Sequence, residues 1–182
     1  MKTVMKLTLA VLVIGAALGM SGCTGLSSRN TLTVESINGG KTYFSDLLNT
    51  TDPANPFIPV DEVKVVFGNI RNGGGTPLQA GTPFSDIVVT GYTVKYDNAI
   101  YSPVTGGLNI HVSSGSTSEA IILLSNAGEK ATLSISGTVT TIARIHFTGY
   151  NYVDGINNGD QVYADAALTV QVGNFSDTIN GP

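Results

Sequence analysis

The strongest constraint on the fold is a strict alternation of apolar and polar residues near the end of the chain. Successive side chains of a β-strand point to opposite faces, so a period of two indicates a strand with one buried side. Within residues 161–173 the expected buried side chains are Val162, Ala164, Ala166, Leu168, Val170 and Val172. Tyr163, Asp165, Thr169 and Gln171 are expected on the opposite face.

Shorter segments with strand character precede this one, separated by stretches rich in Gly, Asn, Ser and Pro. Such breaks are typical of turns and loops between strands. The predicted strands are residues 31–37, 62–70, 86–96, 108–112, 119–124, 131–136 and 142–153. Residues 38–61 are expected to form a long connection, and no segment has the pattern of a substantial amphipathic helix.

Two predicted strands carry specific expectations about their faces. In residues 86–96 we expect Val88, Tyr92, Val94 and Tyr96 to share one face. Residues 120–124 are continuously apolar, which predicts a strand covered on both sides.

About eight short strands at this spacing predict an all-β fold. The favoured architecture is an antiparallel β-sandwich of seven or eight strands, immunoglobulin-like or fibronectin-type. A jelly roll or a small barrel is the alternative. The chain has one Cys and no Trp, so it lacks the Cys–Trp–Cys core of true immunoglobulin domains.

The first 22 residues have the three parts of an export signal. Lys2 and Lys6 give a positive start, residues 7–18 form an apolar run, and small residues follow. That run is about twelve residues long, whereas a helix needs about twenty to cross a bilayer. We therefore expect residues 1–22 to be a cleaved signal peptide.

Met20, Ser21, Gly22 and Cys23 resemble the lipobox of bacterial lipoproteins, with Met where Leu is commoner in that family. The resemblance implies that Met20, Ser21 and Gly22 act in signal processing and that a diacylglycerol is attached to the Cys23 sulfur. It also implies a further acyl chain, such as palmitate, on the new N-terminus. Two or three acyl chains hold a protein firmly on a membrane.

Thr24 follows Cys23 at a position where Asp commonly signals retention in the inner membrane in such lipoproteins. The resemblance therefore implies an outer-membrane anchor and leaves open whether the protein faces the periplasm or the exterior. We expect residues 23–30 to be the lipidated Cys and a short tether, and residues 31–182 to be the sandwich. This domain resembles small immunoglobulin-like lipoproteins of unknown function.

The charge of the chain argues against a nucleic-acid partner. It has 9 basic and 13 acidic side chains, and cleavage of the signal would remove Lys2 and Lys6, which changes the net charge from −4 to −6. Phosphate binding requires clustered Lys and Arg. One Cys also excludes an intrachain disulfide and a multi-cysteine metal site.

The loop at residues 154–160 is the best metal candidate in the sequence. Asp154, Asn157, Asn158 and Asp160 supply oxygen ligands of the kind that calcium prefers, although their spacing differs from that of the EF-hand. The alternative is a hairpin turn whose Asn and Gly residues adopt positive φ angles. No other cofactor is expected.

No catalytic motif is present in the sequence. The chain has no Gly-x-Ser-x-Gly elbow and no phosphate-binding glycine loop, and its two His residues lie on different predicted strands. We therefore expect no enzymatic activity.

Three tyrosines near the last hairpin are the best candidate for a binding face. Tyr150, Tyr152 and Tyr163 are expected to project outward, close to His146. Exposed aromatic rings stack on sugars and anchor protein partners, although Tyr is also common on half-exposed sheets.

The resulting prediction is a lipid-anchored binding or scaffolding module of the cell envelope, with a protein or glycan partner. One alternative is a surface-fibre subunit assembled by strand exchange, with residues 31–37 as the donor. A second alternative is a calcium- or carbohydrate-binding accessory domain.

Overall fold

β-Strands account for most of the residues described in a computed structural model of the chain, which are 30–71, 86–152 and 159–175. The eight strands in these ranges are β1 (Asn30–Ile37), β2 (Tyr43–Asp46), β3 (Asp61–Arg71), β4 (Ile87–Tyr96), β5 (Val104–Val112), β6 (Thr117–Ser125), β7 (Val139–Asn151) and β8 (Gln161–Gly173). A 3-10 turn (Asn38–Gly40) follows β1, and a one-turn helix, α1 (Ala127–Lys130), follows β6.

The strands form two sheets, as the sandwich prediction requires. The smaller sheet has the order β1-β3-β6, and the larger has the order β2-β8-β7-β4-β5. All pairs are antiparallel except β2 with β8, which is parallel. The all-β sandwich predicted from the alternation is therefore confirmed.

The order of the strands is that of an immunoglobulin-like sandwich. β1, β3 and β6 take the places of strands A, B and E, while β4, β7 and β8 take those of C, F and G. The four-residue β2 continues the first strand and crosses to the other sheet, where it pairs with β8.

Aromatic residues occupy the centre of the core, where immunoglobulin domains have a disulfide packed on Trp. Phe67 of β3 meets Phe147 of β7 edge to face, with ring centroids 4.9 Å apart. Tyr92 of β4 packs beside Phe147, with centroids 6.4 Å apart. Its hydroxyl accepts a hydrogen bond from the Leu123 backbone N–H of the opposite sheet, at 2.9 Å. The two sheets are thus joined without a covalent cross-link between them.

The side chains of β8 lie on the faces that the alternation predicts. Val162, Ala164, Leu168, Val170 and Val172 are buried, Ala166 is half-buried, and Tyr163 is 51% exposed.

Val88 does not share the face of Tyr92, Val94 and Tyr96, because β4 contains a β-bulge between Val89 and Gly91. The extra residue shifts the alternation, and Ile87 and Val89 enter the core in place of Val88. Val88 is buried on the opposite face, where its register partners are His111 and Tyr150.

Three other expectations about secondary structure are wrong. Ile121 is 66% exposed, so the apolar run 120–124 is covered on one side alone. Residues 131–136 form no strand and instead follow α1, which Asn126 caps through a 2.9 Å bond from the Glu129 N–H. The connection 38–61 contains β2, whose four residues are too few to show a period.

Candidate functional site

The outward surface of β4, β7 and β8 holds most of the predicted binding residues, and we call it the tyrosine face. It is defined by Tyr150, Tyr163, His146 and Asp165. These side chains lie on the solvent side of two long antiparallel strands, whose register places His146 opposite Asp165 and Tyr150 opposite Gln161. Adjacent antiparallel strands hold such neighbours in fixed relative positions.

Tyr163 is exposed but held in place. Its ring stacks on the His146 ring, with centroids 5.4 Å apart and planes inclined by 21°. Its hydroxyl donates a hydrogen bond to Gln161 Oε1. His146 is fixed in turn by Asp165, with 2.7 Å between Nδ1 and Oδ1. The result is an ordered aromatic surface open to solvent.

A shallow groove lies beside the Tyr163 ring. It has a volume of about 570 Å³, which falls within the range of small-ligand sites. It is lined by Thr90, Thr148, Gly149, Tyr150, Gly159, Gln161 and Tyr163. Two tyrosine rings together with hydroxyl and amide groups give this groove both apolar and hydrogen-bonding surfaces.

A second depression of about 610 Å³ continues from His146 and Asp165 toward the far end of the strands. It is lined by Lys95 and Arg144 and floored in part by Ala167, whose small side chain lies opposite Arg144. Arg144 makes a two-pronged ion pair with Asp97, with Nε–Oδ1 at 2.6 Å and Nη2–Oδ2 at 2.9 Å. These hydrogen bonds hold the pKa of the Asp97 carboxyl below its ordinary value.

Tyr152 lies apart from the other predicted aromatic residues. Its ring contacts His111 of β5, with centroids 5.6 Å apart. The four predicted binding residues therefore divide: His146 and Tyr163 touch, Tyr150 shares the groove with Tyr163, and Tyr152 packs toward the edge of the sheet.

The predicted calcium loop is described only at its end. Asp154, Asn157 and Asn158 lie outside the described residues. Asp160 is exposed, and its backbone carbonyl accepts a 2.9 Å hydrogen bond from the Asn151 N–H, which helps to close the hairpin. Across residues 30–71, 86–152 and 159–175, no group of three or more His, Cys, Asp or Glu side chains is placed to hold a metal ion.

Met20, Ser21, Gly22 and Cys23 also lie outside the described residues. In the part of the chain that the structure describes, no helix has the length and apolar character needed to cross a bilayer.

A buried polar cluster at one end of the sandwich was not predicted from the sequence. Asp61, at the start of β3, is 2% exposed, and Lys130 of α1 is also 2% exposed. Lys130 Nζ lies 2.7 Å from Asp61 Oδ1 and donates a second hydrogen bond to the Pro59 carbonyl at 2.8 Å. The other carboxylate oxygen accepts hydrogen bonds from Ser45 and Ser125, each at 2.5 Å.

Tyrosines complete this cluster. Ser45 donates its one hydroxyl proton to Asp61, so the Tyr101 hydroxyl, 2.8 Å away, donates to Ser45. Burial, with a contribution from the Asp61 charge, raises the pKa of Tyr43 and of Tyr101 to about 12. Its charged groups are enclosed and hydrogen-bonded, and these hydrogen bonds connect β2, β3, β6, α1 and the β4–β5 loop.

Comparisons with protein-family models and with curated proteins find no match to this sequence.

Proposed function

We propose that this protein is a lipid-anchored, non-catalytic binding or scaffolding module of the bacterial cell envelope. In this proposal Cys23 carries the lipid, and the tyrosine face captures a protein or glycan partner. The observation that carries the binding role is Tyr163, 51% exposed yet held by His146 and Gln161. An aromatic ring that is already fixed loses little conformational entropy when a partner covers it.

The anchor rests on the resemblance of residues 20–23 to a lipobox. Its test is metabolic labelling with a radioactive palmitate, followed by separation of the membrane fraction. The parent protein and the control variant Thr24→Ser are expected to incorporate label and to sediment with outer membranes. Cys23→Ser is expected to lose both properties. Label that persists in Cys23→Ser would contradict the lipobox interpretation.

The binding face is tested by capturing envelope components with immobilised protein. Tyr163→Ser and Tyr150→Ser are expected to capture markedly less of any specific partner. Phe57→Ser is the matched control, since Phe57 is also an exposed aromatic residue, at 57%, but lies outside the tyrosine face. Equal capture by all three variants and the parent would refute the proposed face.

The surface-fibre alternative and the calcium-binding form of the second alternative receive no specific support from the described residues. The strand-exchange donor 31–37 is part of β1 and pairs with β3 of its own chain. The calcium loop lies largely outside the described ranges. The tyrosine face is therefore the better basis for a functional proposal.

A further inference from the structure

The groove between Tyr150 and Tyr163 offers a ligand aromatic rings and uncharged polar groups. The described residues that line it are Thr, Gly, Tyr and Gln, with no charged side chain and no Leu, Ile or Val among them. Protein hot spots are enclosed, desolvated pockets, whereas this groove is shallow and open to solvent. Its composition therefore favours a hydroxylated ligand over the surface of a protein.

The charges beside the groove balance one another. The adjoining depression is lined by Lys95 and by the Asp165 carboxylate, which have opposite signs, and its Arg144 is already paired with Asp97. The chain as a whole has an excess of acidic residues, so its net charge repels an anion. Neither the groove nor its surroundings select an anionic ligand, and we expect a neutral one.

One face of the Tyr163 ring is free to stack on a ligand. In the register of β7 with β8, Tyr163 lies opposite Thr148, and His146 and Tyr150 are its two diagonal neighbours, roughly 7–8 Å away. His146 stacks on one side of the ring. The groove, which Tyr150 lines and His146 does not, lies on the other side. Sugar rings have apolar C–H faces that pack on such an aromatic surface.

The groove can both donate and accept hydrogen bonds. Because the Tyr163 hydroxyl donates to Gln161 Oε1, the Gln161 amide N–H groups are left to donate to a ligand. The Thr90 hydroxyl donates to the Thr148 carbonyl at 3.2 Å, so its oxygen is left to accept. Sugar hydroxyls donate and accept, whereas a proline-rich peptide, another ligand of aromatic grooves, has few N–H donors.

We propose that the groove of the tyrosine face binds a neutral saccharide. One sugar ring stacks on the free face of Tyr163, and its hydroxyl groups bond to the Gln161 amide and to the Thr90 oxygen. The inference rests on the proposed binding function and specifies the ligand class of the same face.

The experiment is a calorimetric titration of the full chain with two neutral trisaccharides, cellotriose and chitotriose, and with tri-galacturonic acid as the charged comparison. At least one neutral trisaccharide is expected to bind. The acid is expected to bind at least about fivefold more weakly, because the groove gives its carboxylates no partner to offset their desolvation. Since no ion pair is screened, the affinity for the neutral ligand should change less than about twofold between low and high salt.

Variants of two residues test the assigned contacts. Tyr163→Ser is expected to weaken binding about tenfold or more, whereas Tyr163→Phe keeps the ring and most of the affinity. Gln161→Glu keeps an acceptor for the Tyr163 hydroxyl but removes the amide donors, and a loss of about fivefold is expected for one hydrogen bond.

Two variants serve as controls. Gln171→Glu makes the same change on the same strand but outside both depressions, and Phe57→Ser removes an exposed aromatic ring elsewhere. Both are expected to bind as the parent does. Unchanged thermal unfolding of Tyr163→Ser and Gln161→Glu will show that these variants remain folded.

Three results would overturn the inference: no heat with either neutral trisaccharide up to about 10 mM, tighter binding of the acid than of both, or binding that survives Tyr163→Ser. If neither trisaccharide binds but capture of an envelope component still depends on Tyr163, the saccharide inference fails and the proposed function stands. If neither assay depends on Tyr163, both fail.

Discussion

Replacement of Lys130 by Met tests whether the buried cluster stabilises the fold. Met has a similar length and no charge, so it fills the space of Lys130 but removes the cation from Asp61. The carboxylate would remain 2% exposed, with Ser45 and Ser125 as its closest remaining donors. Breaking a buried ion pair by removing one partner costs about 3–5 kcal/mol, because the other charge stays buried without compensation.

The size of the decrease in the free energy of unfolding distinguishes the loss of a buried ion pair from a general effect of removing a lysine. Lys64 pairs with Glu119 at 2.6 Å, but the two side chains are 57% and 58% exposed. Such a pair contributes about 0–1 kcal/mol, so Lys64→Met is the matched control. Since the chain has no Trp, urea unfolding is followed by far-UV circular dichroism and tyrosine fluorescence. With a slope of about 2 kcal/mol/M, we expect the midpoint of Lys130→Met to fall by about 2 M.

A double-mutant cycle isolates the interaction between the two charges. Asp61→Asn alone leaves the Lys130 ammonium buried without its counter-ion, and we expect a loss of similar size. Asp61→Asn with Lys130→Met removes both charges, so the combined loss should be smaller than the sum by about 2–3 kcal/mol. Additive losses, or a loss in Lys130→Met no larger than in Lys64→Met, would refute the role assigned to the cluster.

Two further predictions concern the core and its tyrosines. Burial raises the pKa of Tyr43 and Tyr101 to about 12 and also raises that of Tyr96, whereas an unfolded tyrosine titrates near 10. The stability that these neutral tyrosines contribute is complete below about pH 10 and is lost as the pH rises through about 12. Absorbance at 295 nm should therefore show the three tyrosines ionising together with loss of the circular dichroism signal. Ionisation of these tyrosines well before unfolding would contradict this prediction. In Gly149→Ala the new Cβ would lie 2.5 Å from the Val88 carbonyl oxygen, and we expect a loss of about 1–3 kcal/mol in urea unfolding. Gly107→Ala is its control, because nothing lies within 4 Å of the new Cβ there. Equal stability of the two variants would show that β4 and β7 can separate enough at Gly149 to accommodate a methyl group.

The fold was predictable where burial alone decides the position of a side chain. In β8 and β7 every second residue enters the core, and the sequence shows that period directly. The period fails at Val88 because a bulge is a property of strand pairing, which alternation alone does not show; the isolated Gly91 within the strand is the local signal that accompanies it. The prediction that the apolar run 120–124 is covered on both sides is wrong at Ile121 for another reason. An apolar residue costs little on the surface, so its presence does not require a covering layer.

The tyrosine face was partly predictable, whereas the buried cluster was not. Alternation placed Tyr163 and His146 on the outward side, but only the register of β7 with β8 shows that their rings stack. Asp61 and Lys130 lie 69 residues apart and belong to segments that resemble ordinary surface turns. Charged residues are seldom fully buried, so composition and spacing favour the exposed interpretation of both.

The position of β1 relates the proposed anchor to the tyrosine face. Asn30 pairs with Arg71 at the end of β3, and the nearby Asn69 donates a 2.8 Å hydrogen bond to the Val112 carbonyl in the larger sheet. Val112 pairs with Ile87, at the end of the larger sheet that also holds Tyr150. Seven residues span at most about 25 Å. A lipid on Cys23 would therefore keep this end near the membrane and the Asp61–Lys130 cluster at the far end. The groove beside Tyr150 and Tyr163 would then meet ligands close to the bilayer surface.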